Sequence, residues 1–158
     1  MEERILINMT KGAGGLRVYS GGTFDIPHRG HLDLLRWCRE IAGEGEVVIA
    51  LNTDEFVEEY KGKRPIMEYE DRKAILEAFT DLVDRVVENS GGADSKPAIL
   101  EVDPDVIVVG SDWLMKDYCA QMDFSPEWLE EHGIALCYIP RQLDRSTTQI
   151  KEKIKSQW

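Results

Sequence analysis

The chain has 158 residues, and its 19 Lys and Arg against 30 Asp and Glu give a formal net charge of −11. This length fits one domain with room for a hydrophobic core. The acidity argues against proteins that grip a polynucleotide or an anionic membrane surface, because both need Lys and Arg to replace counterions. The longest apolar runs, such as residues 47–51, are too short to span a bilayer.

Short apolar runs alternate with helical patterns along the chain, which predicts a parallel, doubly wound α/β sheet. The predicted elements are, in order, strand 16–20, helix 30–42, strand 46–51, helix 70–80, strand 85–88, strand 106–109, helix 126–132, strand 134–139 and helix 147–155. We expect one domain over 16–158, preceded by an extension over 1–15. Residues 4–8 fit either an extra edge strand or an ordered tail. Residues 52–54 offer helix caps.

The cysteines and the first residues indicate where the protein works. Cys38, Cys119 and Cys137 are odd in number, and no pair has the spacing of a zinc or redox site. The start of the chain lacks the basic stretch of a signal peptide. We therefore expect reduced thiols and a cytoplasmic protein.

The most informative motif lies between the first predicted strand and the first predicted helix. Residues 21–31 read Gly-Gly-Thr-Phe-Asp-Ile-Pro-His-Arg-Gly-His. His28 and His31 are three residues apart, so both imidazoles share one face of the first helical turn, where free N–H groups attract phosphate. Gly22 and Gly30 allow backbone to approach a ligand closely. The alternative is a capped helix with two solvated histidines, but the surrounding strand and glycines favour a phosphate site.

Two further segments carry candidate ligands. Residues 61–64, Lys-Gly-Lys-Arg, are the most concentrated basic stretch, and they are either a phosphate-binding loop or a solvated loop with local ion pairs. Gly110 ends a buried strand and would let a ligand lie against the backbone, and Asp112 can accept hydrogen bonds from ribose hydroxyls. The alternative for that segment is a strand-to-loop turn with Trp113 in a packing role.

The last helix begins with Ser-Thr-Thr-Gln at 146–149. Ser146 can cap the helix, and Gln149 can reach back to complete a capping box. A plain capped helix explains those two residues. It leaves Thr147 and Thr148 unexplained, because threonine is a mediocre helix former.

These motifs resemble those of the cytidylyltransferase-like nucleotidyltransferases, and within them the glycerol-3-phosphate cytidylyltransferases. The resemblance runs from about residue 17 to residue 154. Besides the first motif it includes Asn-Thr-Asp-Glu-Phe at 52–56, Tyr-Glu-Asp-Arg-Lys at 69–73, Val-Gly-Ser-Asp-Trp at 109–113, Ile-Pro-Arg at 139–141 and Ser-Thr-Thr-Gln-Ile-Lys at 146–151. The resemblance implies a Rossmann-like nucleotidyltransferase fold and a homodimer.

The resemblance also implies roles for individual residues. It assigns catalysis to His28, His31, Lys61, Lys63 and Arg141. It assigns nucleotide binding to Gly22, Thr23, Phe24, Gly30, Gly110, Asp112, Trp113, Ser146, Thr147 and Thr148. Arg72 is expected at the phosphate of the acceptor substrate, and Asp25 is a possible metal ligand or site-organising carboxylate. Mg²⁺ is the expected cofactor.

The expected reaction moves CMP from CTP to a small, glycerol-3-phosphate-like alcohol phosphate, with a CDP-alcohol and pyrophosphate as products. The expected partners are therefore CTP and a phosphorylated small molecule, with no nucleic acid and no membrane. One alternative is an adenylyltransferase that uses ATP and a sugar phosphate or related acceptor. Another is a binding module that senses nucleotide without turning it over. The segment 114–127, longer than in the relatives, would shape the acceptor pocket or a subunit contact.

Overall fold

Five parallel strands form one sheet within residues 14–90, 94–140 and 146–158, the part of the chain that the computed structural model describes. The strands are β1 (Val18–Gly22), β2 (Val47–Asn52), β3 (Arg85–Asn89), β4 (Val106–Gly110) and β5 (Ala135–Ile139). Their order is β3-β2-β1-β4-β5, and every neighbouring pair is parallel. From β1 the chain adds β2 and β3 on one side, and it then crosses to add β4 and β5 on the other side. The strand order therefore reverses between the neighbouring strands β1 and β4.

Helices connect the strands. They are α1 (Arg29–Ala42), α2 (Asp54–Lys61), α3 (Tyr69–Ala78), α4 (Lys96–Val102), a 3₁₀ helix (Ser111–Met115), α5 (Tyr118–Gln121), α6 (Pro126–Glu131) and α7 (Thr147–Gln157). None of the helices in the described ranges is long and apolar enough to cross a membrane.

The sheet is covered on both faces, which confirms the predicted doubly wound α/β class. All six residues of β2 are buried. Ile49 packs in a core cluster with Leu35 of α1, whereas Ala50 packs in a second cluster with Ile99 of α4. Adjacent side chains of a strand point to opposite faces, so a central strand covered by helices on both sides is apolar along most of its length, and in β2 only the terminal Asn52 is polar.

The predicted strands and helices are confirmed, with ends that differ by one or two residues. The caps predicted at 52–54 are confirmed as well, because Thr53 accepts a hydrogen bond from Phe56 N at 3.2 Å and begins α2. Helices at 96–102, 111–115 and 118–121 were not predicted. These segments are too short to show a clear helical period. The predictions for residues 1–13 fall outside the described residues.

The three cysteines are free thiols, as predicted. Burial, together with the neighbouring Cys137, raises the pKa of Cys38 to about 12. Cys38 therefore stays protonated near neutral pH and acts as a core side chain.

A buried arginine ties together the segments that follow β1 and β2. The side chain of Arg72, on α3, is 0% exposed. Its Nη1 donates to the Thr23 carbonyl at 2.6 Å and to the Asn52 carbonyl at 3.0 Å. Its Nε donates to the Met67 carbonyl at 2.9 Å, and its Nη2 donates to the Asp54 carboxylate at 2.6 Å. A buried charge needs such partners, because its desolvation is otherwise too costly.

This arrangement corrects the role expected for Arg72. A guanidinium that is buried and bonded to four protein oxygens does not meet the phosphate of a dissolved substrate. Its partners are mostly backbone carbonyls, and a sequence carries no signal for these. Arg72 therefore holds the carboxyl edge of the sheet in place instead of binding the acceptor.

Arg72→Met keeps most of the side-chain volume but removes every donor, so carbonyls of two loops lose their partners. We expect the free energy of unfolding to fall by roughly 3–5 kcal/mol, the usual cost of breaking a buried ion pair. Urea unfolding measures this. Lys73→Met is the matched control, since Lys73 makes only a surface ion pair with Glu77 at 3.7 Å. A loss below about 1 kcal/mol in Arg72→Met, typical of surface substitutions, would contradict this assignment.

Candidate active site

The first motif lies where the strand order reverses. β1 ends at Gly22 and β4 ends at Gly110, and the two strands are neighbours in the sheet. Residues 23–28 lead from β1 into α1, so the amino end of α1 faces this edge. In open parallel sheets, ligands bind outside the carboxyl ends of the strands at such a crossover.

The two histidines of the motif lie together at the start of α1, as their spacing predicted. His28 is the N-cap residue, and its Nδ1 accepts a hydrogen bond from Gly30 N at 3.0 Å. Nδ1 of His31 accepts one from His28 N at 3.3 Å, and the ring centroids are 4.0 Å apart. Because Nδ1 is an acceptor in both rings, each neutral ring carries its hydrogen on Nε2. Nε2–H is a donor that phosphate oxygens accept.

The charge at the start of α1 also suits an anion. Helix N-termini are usually capped by Ser, Thr, Asp or Asn, and Asp or Glu in the first turn offsets the dipole. Here a histidine replaces the usual cap, and the first turn of α1 has no acidic residue. The positive end of the helix dipole is therefore left for a ligand to neutralise.

The turn that precedes the histidines has strained backbone. Phe24 has φ = 52° and Ile26 has φ = 48°. Such angles are uncommon outside glycine, and in a β-branched residue such as isoleucine they are rare. Phe24 is buried, and its ring centroid lies 5.2 Å from that of His31. Phe24, which was expected to bind nucleotide, thus packs against the His31 ring. Backbone strain of this kind clusters at functional sites.

Asp25, between those two residues, connects the histidine turn to two other segments of the chain. Its carboxylate is 5% exposed and accepts hydrogen bonds from Ile66 N at 2.8 Å and Met67 N at 2.9 Å. The ammonium group of Lys151 lies 3.0 Å from its Oδ2. Burial raises the pKa of Asp25, but these hydrogen bonds and the Lys151 charge outweigh it and lower the pKa overall.

In the described ranges, no group of three or more His, Cys, Asp or Glu side chains is placed to hold a metal ion. Both carboxylate oxygens of Asp25 already accept N–H donors. The contacts of Asp25 fit the second of the two roles expected for it, that of a site-organising carboxylate. The metal-ligand role stays a prediction.

The last motif meets the first one directly. Ser146 is the N-cap residue of α7, and its Oγ accepts a hydrogen bond from Gln149 N at 3.1 Å, which confirms the predicted cap. The hydroxyl of Thr147 donates to the Asp25 carbonyl at 2.7 Å. Thr148 is exposed. Thr147 thus uses its hydroxyl hydrogen to hold α7 against the turn after β1, whereas the exposed side chain of Thr148 is open to a ligand.

A row of polar side chains crosses the carboxyl ends of β1, β2 and β3. Asn89 Nδ2 donates to Asn52 Oδ1 at 2.8 Å, and Asn52 Nδ2 donates to Thr23 Oγ1 at 3.2 Å. Because Thr23 Oγ1 accepts there, its own hydrogen points to another acceptor. Tyr60 OH lies 3.4 Å away. The sequence analysis missed both asparagines and Tyr60 as site residues, since only the strand order brings them beside Thr23.

The basic stretch combines a local ion pair with two exposed lysines, and its phosphate-binding role stays a prediction. Arg64 pairs with Glu55 at 2.6 Å, as in a solvated loop with local ion pairs. Lys61 is the last residue of α2, and its ammonium lies 5.3 Å from the centroid of the Tyr60 ring. Lys61 and Lys63 are both exposed. Gly62, with φ = 71°, ends α2 in the left-handed conformation that glycine favours.

The β4 side of the site consists of Gly110, at the end of the strand, and the 3₁₀ helix that follows. Asp112 and Trp113 are both partly exposed. The Trp113 ring packs edge-on against Tyr118, with centroids 5.3 Å apart, and Lys116 Nζ lies 5.3 Å from its centroid. The packing role expected as an alternative therefore accounts for part of Trp113. Arg141, expected beside this edge, lies outside the described residues.

The chain matches one family of proteins and resembles named enzymes along most of its length. The cytidylyltransferase-like family model matches residues 19–153. The chain is 35% identical over 138 residues to the glycerol-3-phosphate cytidylyltransferase of Staphylococcus aureus, which covers 87% of this chain and 94% of that protein. It is also 35% identical over 144 residues to the FAD synthase of Korarchaeum cryptofilum, which covers 89% of this chain and 92% of that protein.

A solved structure shares the architecture. The lipopolysaccharide core biosynthesis protein from Thermoplasma volcanium superposes with a TM-score of 0.63 at 29% identity, covering 82% of this chain and 98% of that one. Together with the paired histidines at the β1–β4 crossover, the match over residues 19–153 shows that this chain belongs to the cytidylyltransferase-like family and is a nucleotidyltransferase.

Proposed function

We propose that the protein transfers CMP from CTP to the phosphate of a small alcohol phosphate, giving a CDP-alcohol and pyrophosphate. The observation that carries this proposal is the pair of Nε2–H histidines at the amino end of α1. The similarity to proteins named glycerol-3-phosphate cytidylyltransferase supports CTP and a polyol phosphate as substrates.

The chemistry needs positioning and charge neutralisation more than proton transfer. An oxygen of the acceptor phosphate attacks the α-phosphorus of CTP, and the bond from that phosphorus to the oxygen of the β-phosphate breaks. The acceptor phosphate is already an anion at neutral pH, so the step needs no strong general base and no covalent enzyme intermediate. Hydrogen bonds from His28 and His31 stabilise negative charge that builds on the phosphoryl oxygens and on the leaving pyrophosphate.

Further cations and donors complete the site in this proposal. Lys61 and Lys63 approach the triphosphate from the loop after α2, and a loop that begins with glycine suits closure over a substrate. Thr148 and Arg141, the latter outside the described residues, are the other proposed phosphate ligands. Mg²⁺, the cofactor that the resemblance implies, would bind the phosphate oxygens of the nucleotide in this proposal. No step here depends on a protein ligand to the metal.

A second candidate is the transfer of AMP from ATP to a phosphate acceptor. The FAD synthases of Korarchaeum cryptofilum and Pyrococcus horikoshii are 35% and 34% identical to this chain, comparable to the cytidylyltransferases. The same histidine geometry suits either nucleotide, because the histidines would contact the phosphates and not the base.

The homodimer and the cytoplasmic location expected from the sequence stay predictions.

A pyrophosphate-release screen of CTP, ATP, GTP and UTP against polyol phosphates, sugar phosphates and FMN tests the proposal. We expect the highest rate with CTP and a polyol phosphate such as glycerol 3-phosphate. A highest rate with ATP and FMN would select the second candidate. Absence of release with every pair would contradict both, and would favour a module that binds nucleotide without turnover.

His31→Ala removes one Nε2–H donor and, with it, the Nδ1 acceptor of the His28 N–H. We expect turnover to fall on the order of 10²–10³-fold, the usual cost of losing one such donor. His132→Ala is the matched control, because His132 lies at the end of α6 with its ring 2.7 Å from the Trp128 carbonyl. Turnover of the His31 variant equal to that of the control would contradict the role of the histidine.

A further inference from the structure

We propose that Asp25 and Lys151 form a clamp that positions the histidine turn against the last helix, with Asp25 as a positioning residue. The kinetic part of this inference rests on the proposed function. Asp25 and Lys151 were not expected to be partners, and the ion pair joins residues that are far apart along the chain.

Asp25 joins three separate segments. Its side chain accepts two backbone N–H groups at Ile66 and Met67, in the segment between α2 and α3. Its backbone carbonyl accepts the Thr147 hydroxyl, and its Oδ2 accepts Lys151, both from α7. The turn after β1, the basic segment after α2 and the start of α7 therefore share one residue. Each of these three segments carries candidate phosphate ligands.

The clamp also explains why the turn tolerates its strain. Phe24 and Ile26, on either side of Asp25, both have left-handed backbone angles. Residues held in such angles are strained and persist only where the surroundings hold them. The contacts of Asp25 lie at the centre of this strained turn, and His28 follows three residues later. Loss of the clamp would let the turn relax and move His28.

Lys151 is suited to hold α7 in this place. It follows Thr147 by four residues, so both lie on one face of the helix and both reach Asp25. The Lys151 side chain is 36% exposed, whereas that of Asp25 is 5% exposed. The ammonium also balances a carboxylate that would otherwise place a bare negative charge beside the phosphate site.

A double-mutant cycle of Asp25→Asn and Lys151→Met tests the clamp. Pyrophosphate release from CTP and glycerol 3-phosphate gives kcat and KM, and urea unfolding without nucleotide gives stability. Lys155→Met is the matched control, because Lys155 is exposed and lies one turn further along α7. Lys151→Arg is the rescue variant, since it keeps the positive charge.

We expect Lys151→Met to lower kcat on the order of 10²-fold, because small displacements of catalytic groups cost about that much. We expect little further loss when Lys151→Met is added to Asp25→Asn, since one interaction cannot be removed twice. Lys151→Arg should restore most of the activity, and Lys155→Met should leave it unchanged. Should Asp25→Asn fail to fold, the kcat loss in Lys151→Met and its rescue by arginine decide the matter.

Three results would overturn the clamp. A raised KM with unchanged kcat in Lys151→Met would instead make Lys151 a direct ligand of the nucleotide. Additive losses in the cycle, in activity or in unfolding, would show that the two residues act separately. Retention of full activity by Lys151→Met would also refute it. Lack of pyrophosphate release by the unaltered protein contradicts the proposed function, whereas the unfolding cycle still decides whether the pair is coupled.

Discussion

The buried guanidinium of Arg72 is the constraint on which the carboxyl edge of the sheet depends. A charge removed from water must be matched by hydrogen bonds, and here the matching groups come from the segments after β1, β2 and α2. The carbonyls of Thr23 and Asn52 are thereby held at fixed positions. The turn that begins at Thr23 leads to His28 and His31. The hydrogen bonds of Arg72 therefore fix the position from which this turn starts.

A net charge of −11 is compatible with a phosphate site because the site is local. In the proposed site, the groups that attract anions are helix N–H groups, the histidines whose Nδ1 atoms accept hydrogen bonds, and a few lysines. Histidine, and not aspartate, caps α1. The carboxylate of Asp25, buried next to this turn, is balanced by Lys151. The acidic excess therefore need not oppose a bound nucleotide.

Some features of the site followed from the sequence because they are local. The pairing of His28 with His31 and the cap at Ser146 involve residues three apart, and helical geometry alone brings those together. The spacing of Thr147 and Lys151 is equally local and indicates a shared face. The sequence had no means to show that both meet Asp25, since the Thr147 contact spans 122 positions.

By itself the sequence determined the alternation of strands and helices, the position of the histidine motif between β1 and α1, and the family. Apolar periodicity and cap residues act over a few positions, which is why they can be read along the chain. Only the tertiary structure decided that Arg72 is buried, that Asp25 contacts three segments and that Thr147 holds α7 in place. Each of these depends on which polar groups meet once the strands take the order β3-β2-β1-β4-β5. A buried polar group needs hydrogen-bond partners, and the packing of segments that are distant along the chain determines which groups those partners are.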